Sequence, residues 1–143
     1  EERQPGSSAT ESRNETQLED LLAARGARSL RRQIVVGGHE PVGRCDHRDD
    51  ELPLVVETNS LEHHTSPSDR RADEARYEQL MDARFTIGVI WEDDLWKNPR
   101  GATDTVALAR QHVAAGSPAV IHSPGCPWPP PHGGAPARRQ LAA

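Results

Sequence analysis

The chain has 143 residues, a net charge of -5 and a mean hydropathy of -0.76: room for one domain with a real core, but no run near the ~18 apolar residues that a membrane span needs. Its net acidity argues against a simple electrostatic nucleic-acid binder, and its two distant cysteines, Cys45 and Cys126, make neither a disulfide framework nor a zinc-ligand set. With no signal-peptide core and no membrane partner indicated, a cytoplasmic compartment is the expectation.

In chain order, positions 1 to 13 hold no strong apolar residue and read as a disordered lead-in. Leu18, Leu21 and Leu22 recur at helical spacing over 14 to 25, and Gly26 stands where a C-terminal cap belongs. Q-I-V-V at 33 to 36 predicts a strand, R-C-D-H at 44 to 47 a second, and L-P-L-V-V-E at 52 to 57 a third, entered through the D-D-E turn. Ser68 or Asp69 can cap a helix over 69 to 83 that carries Tyr77, Leu80 and Met81 on one stripe. F-T-I-G-V-I-W at 85 to 91 is apolar on both faces and predicts a central strand covered by helices. D-D-L-W-K-N-P reads as a loop, 103 to 115 as a last amphipathic helix, and P-A-V-I-H as a short edge strand. Positions 123 to 143 hold six of the 12 prolines and read as a flexible tail, which leaves 14 to 122 as the folded domain. The order predicts a three-layer α/β domain with a mixed sheet of about four strands and a right-handed βαβ crossover.

One feature of this map carries chemistry. Asp46 falls in the second strand and Glu57 ends the third, directly after Leu54, Val55 and Val56. A buried carboxylate needs a partner or a metal. Neighbouring strands lie ~4.8 Å apart, so the two carboxylates can share one cation, and oxygen-only donors suit Mg²⁺, with Mn²⁺ as the other candidate.

These residues resemble the PD-(D/E)xK restriction-endonuclease-like superfamily, and within it the very-short-patch-repair (Vsr)-like endonucleases and a related bacterial domain family of unknown function. The similarity spans about 11 to 96. Glu15, Leu18, Leu21, Leu22 and Gly26 match the pattern of the family's first helix, and G-R-C-D at 43 to 46 its G-R-x-D strand. Glu57 followed by His63, then Asp73, Leu80 and Trp91-Glu92, match the elements after it. The resemblance implies an αβββαβ(α) core, with a central mixed sheet flanked by helices, and a metal-dependent DNA endonuclease for repair or defence.

In the roles that follow, Asp46 and Glu57 hold the metal, with Glu15 joining through water, and His63 is the general base. His64, Asn59, Asp73 and Glu92 are secondary candidates. Arg28, Arg31, Arg32, Arg70 and Arg71 are expected to contact DNA phosphates, drawn from a chain in which Lys97 is the only lysine. The superfamily's usual lysine falls here on Asn59, so a histidine has to replace it, as in the Vsr-like branch. The branch's structural zinc is not expected, because its cysteines are missing. Its mismatch-inserting aromatic residues are replaced by Leu61 and Glu62, so mismatch recognition is not implied. A chain that starts at Glu1 allows a preceding N-terminal DNA-binding domain of the kind some similar chains carry. The alternative is a catalytically degenerate nuclease fold, acting as a DNA-binding or toxin–antitoxin-like regulator. A third reading is a partner-binding domain whose acidic residues are only surface.

Overall fold

The computed structural model of the chain describes residues 5–37 and 41–128, with side chains over 11–32 and 45–128. Its elements are α1 (Pro5–Ala24), β1 (Arg31–Gly37), β2 (Pro41–Arg48), β3 (Leu54–Asn59), α2 (Pro67–Asp82), β4 (Thr86–Trp91), α3 (Glu92–Lys97), α4 (Pro99–Ala115) and β5 (Val120–His122). One five-stranded mixed sheet runs in the order β1-β2-β3-β4-β5. β2 is antiparallel to both neighbours, whereas β3, β4 and β5 run parallel.

The alternation of β3 and β4 assigns their residues to two cores. Leu54, Val56 and Ile90 pack with Leu18 and Leu22 of α1 and with Ala102, Val106 and Ala109 of α4. On the other face Val55, Ile87 and Val89 pack with Tyr77 and Leu80 of α2. All six β4 residues are buried, as a strand covered on both faces requires. Each fully buried aliphatic side chain contributes roughly 1.5–3 kcal/mol, and Leu80 together with the buried Tyr77 holds α2 to the sheet.

The predicted strands all form, within a few residues of their expected ends. Four expectations need correction. α1 starts at Pro5, inside the stretch read as a lead-in; residues 1–4 lie outside the described residues. It stops where expected, because Gly26 takes φ +68 and lets the Ala27 N–H reach back to the Leu22 carbonyl at 2.9 Å. The D-D-L-W-K stretch is a short helix, α3, rather than a loop. Glu92, Asp93 and Asp94 in its first turn and Lys97 in its last complement the helix dipole. α4 then begins at Pro99, four residues early, with Asn98 as cap accepting from the Gly101 N–H at 3.2 Å.

The fourth correction concerns the tail. Residues 129–143 lie outside the described residues, but 123–128 are anchored. Ser123 is fully buried and donates to Asp94 Oδ2 at 2.5 Å, while the Gly125 N–H donates to the same oxygen at 2.7 Å. Trp128 packs edge-on against Trp91, centroid to centroid at 5.4 Å. Proline-rich composition concealed this because one buried carboxylate organises the turn. A Cβ added at Gly125 would lie 2.9 Å from Asp94 Oδ2. Gly125→Ala should therefore lower stability by about 1–3 kcal/mol, in the range of overpacking, as read by a lower denaturation midpoint. A wild-type midpoint would show that Asp94 yields freely.

Candidate active site

β3 turns Glu57 and Asn59 toward α2, and α2 answers with Asp73, Arg76 and Tyr77. These three share one helix face because they stand at i, i+3 and i+4. The helix is started by Ser66, whose hydroxyl accepts from the Asp69 N–H at 3.0 Å.

Arg76 grips both oxygens of Glu57, Nη2 to Oε2 at 2.5 Å and Nε to Oε1 at 3.2 Å. Such a fork is the strong form of an ion pair. Nη2 also lies 3.3 Å from Cys45 Sγ. Asp46 comes to the same place from β2. The β2–β3 register is His47↔Val56 and Arg48↔Val55, and beyond it the Asp46 side chain takes over, Oδ2 accepting from the Thr58 N–H at 3.0 Å. Burial pushes the Glu57 carboxyl above its usual range, and the Asp46 charge adds to this against the opposing pull of Arg76. Burial, with Glu57 beside it, also pushes the Cys45 thiol up to about 12, so this cysteine is an inert core residue. The carboxylate at the end of an apolar strand is thus compensated by an arginine.

Asp73 holds the second histidine of the pair. His64 Nδ1 lies 2.7 Å from Asp73 Oδ2, and its ring stands edge-on to Trp91, centroids 6.4 Å apart. His63 turns the other way, with a side chain 68% exposed against 27% for His64, and its Nε2 is 3.7 Å from Glu62 Oε1. The expected base is therefore outside the group, and its neighbour is inside it. Asn59 is buried and donates from Nδ2 to the Tyr77 hydroxyl at 3.2 Å. At the end of β5, His122 accepts from Trp91 Nε1 at 3.2 Å and stacks on the same indole.

Glu15 and Glu92 are placed elsewhere. Glu15 is buried on the α1 side of the sheet, 3.6 Å from Arg32 Nη1. Glu92 accepts from Asn14 Nδ2 at 2.8 Å and ties α3 to α1. Among the described residues no three His, Cys, Asp or Glu side chains come together as a metal-holding group.

The arginines expected on phosphate mostly meet acids of the chain. Arg28 pairs with Asp49 at 2.7 Å, Arg31 with Asp50 at 3.4 Å and Arg32 with Glu19 at 2.8 Å. Arg70 pairs with Glu74 at 3.2 Å and lies over the Trp128 ring, while Arg71 is exposed. Sequence reasoning passed over Arg76 as a site residue and read Tyr77 only as part of an apolar stripe. The signal present was their position beside Leu80 on the same face as Asp73. No described helix is long and apolar enough to cross a membrane. Comparison of the chain with protein-family models, curated proteins and solved structures finds no match.

Proposed function

We propose that the chain is a metal-dependent DNA endonuclease of the restriction-endonuclease-like, Vsr-like type, hydrolysing phosphodiesters with Asp46, Glu57 and His64. The observation that carries this reading is that Asp46 reaches β3 beside Glu57, while His64 is held by Asp73 one turn from Arg76. The element order, α1, then β1 to β3, α2 and β4, agrees with the core that the resemblance implies.

The donor set fits a hard divalent cation. Among the described side chains Asp46 and Glu57 come together with the Arg76 guanidinium, which engages both Glu57 oxygens. Asp46 and Glu57 would hold Mg²⁺ or Mn²⁺, which when bound supplies charge stabilisation at the phosphate and leaving oxygen. The protein's own part is proton transfer and orientation. With its Nδ1–H given to Asp73, His64 keeps the Nε2 lone pair for the proton of an attacking water.

A second reading is a nuclease fold that binds DNA without cutting, as a regulator. It is favoured by Arg76, which already engages both oxygens of Glu57.

A nicking assay on supercoiled plasmid separates the two. Wild type should nick with Mg²⁺ or Mn²⁺ and not with EDTA, and Asp46→Ala should abolish both nicking and metal binding. Plasmid binding without nicking supports the regulator. Full activity of Asp46→Ala removes the site.

A further inference from the structure

Asp73 alone does not orient the His64 ring. One hydrogen bond at Nδ1 lets the imidazole turn about the line to Asp73 Oδ2, and the direction of Nε2 turns with it. The second constraint is the Trp91 indole, to which the ring stands edge-on. Trp91 ends β4 opposite Asn59 of β3, and it is 1% exposed although β5 beside it has only three residues. Part of its cover comes from beyond β5.

Ser123 Oγ accepts from the Trp91 backbone N–H at 2.9 Å and donates to Asp94, and the Gly125 N–H donates to the same carboxylate. The turn pinned in this way delivers the half-buried Trp128. Its ring stands at 85° to Trp91, centroids 5.4 Å apart, and 6.1 Å from the His122 ring. From α2 the Arg70 guanidinium braces the same ring, 5.0 Å from its centre. We propose that Trp128 is a positioning residue for His64: it fixes the Trp91 indole, and the indole fixes the plane of the imidazole that Asp73 holds at one nitrogen. This rests on the role given above to His64, and it makes residues 123–128 part of the site.

Proton NMR of the His64 ring in the full chain, in Trp128→Ala and in Trp128→Phe, with plasmid nicking alongside, tests this. The His64 ring protons feel the ring current of Trp91, so their resonances should move in Trp128→Ala. The kcat for nicking should fall by roughly 2–30-fold with KM unchanged, the scale for a residue that acts through a neighbour. Trp128→Phe keeps an aromatic ring at the contact and should restore both. His64 resonances that stay fixed in a folded Trp128→Ala protein overturn the inference. A raised KM with unchanged kcat also overturns it, because Trp128 would then serve the substrate directly. Should Trp128→Ala not fold, the wild type still decides. Its Trp91 ring protons should show nuclear Overhauser contacts to both Trp128 and His64, and a missing contact to either overturns the positioning. Moved His64 resonances beside an inactive wild type leave the positioning standing and remove the endonuclease. An active wild type whose His64 resonances match those of Trp128→Ala does the reverse.

Discussion

In the His64→Ala protein the nicking rate should fall by roughly 10²–10⁴-fold, the usual worth of a positioned general base, while His63→Ala nicks as wild type. The two residues are adjacent in sequence and share an environment only on paper. His64 is fixed by Asp73 at 2.7 Å and by the Trp91 edge, whereas His63 is exposed beside Glu62. A base has to be held where the water is, and only His64 is held. Asp73→Asn should reproduce part of the loss without unfolding the protein, because an amide keeps the volume but not the charge that favours the Nδ1–H tautomer. Both variants should still bind Mn²⁺, since neither touches Asp46 or Glu57. Damage from His63→Ala with a normal His64→Ala would return the role to the exposed residue.

Asp49→Ala should destabilise the fold by about 3 kcal/mol, the scale for removing one partner of a buried ion pair. Asp49 has no exposed side-chain surface and receives Arg28 at 2.7 Å and Arg110 at 3.0 Å on one oxygen. Its other oxygen accepts from the backbone N–H of Glu51 and Leu52, closing the turn into β3. Burial works against the charge, but the Arg28 bond, the two backbone donors and Arg110 outweigh it and hold the carboxyl at about 2, below its ordinary 3.8. A lowered folded value means that the stabilisation is complete above the ordinary value and is lost as pH falls through the folded one. That difference corresponds to about 2 kcal/mol. Urea unfolding of wild type should therefore weaken steeply between about pH 4 and pH 2, and Asp49→Asn should show a shallower slope there. An unchanged slope would shift the acid sensitivity to other carboxylates.

Local chemistry made most of the fold legible. F-T-I-G-V-I-W can only be a covered strand, and the Tyr77 and Leu80 spacing fixes the buried stripe of α2. What escaped depends on distant partners. Asp94 anchors Ser123 and Gly125 across 29 and 31 residues, so a proline-rich stretch that looks free is tied to the core. Arg76 meets Glu57 across 19 residues, and no periodicity announces which acid an arginine will reach. The juxtaposition of Asp46 and Glu57 was readable because a short connection forces β2 and β3 together. The choice between His63 and His64 was not, because it depends on the path of the turn after Asn59, where strand alternation no longer applies.

Asp73, Arg76 and Tyr77 each grasp a different partner, His64, Glu57 and Asn59, from one side of a single rigid cylinder. A slip of that cylinder by one residue rotates it about 100° and would release all three grips together. A slip of the helix therefore disturbs carboxylate, imidazole and amide together. Whatever presses α2 onto the sheet sets all three contacts with a single motion.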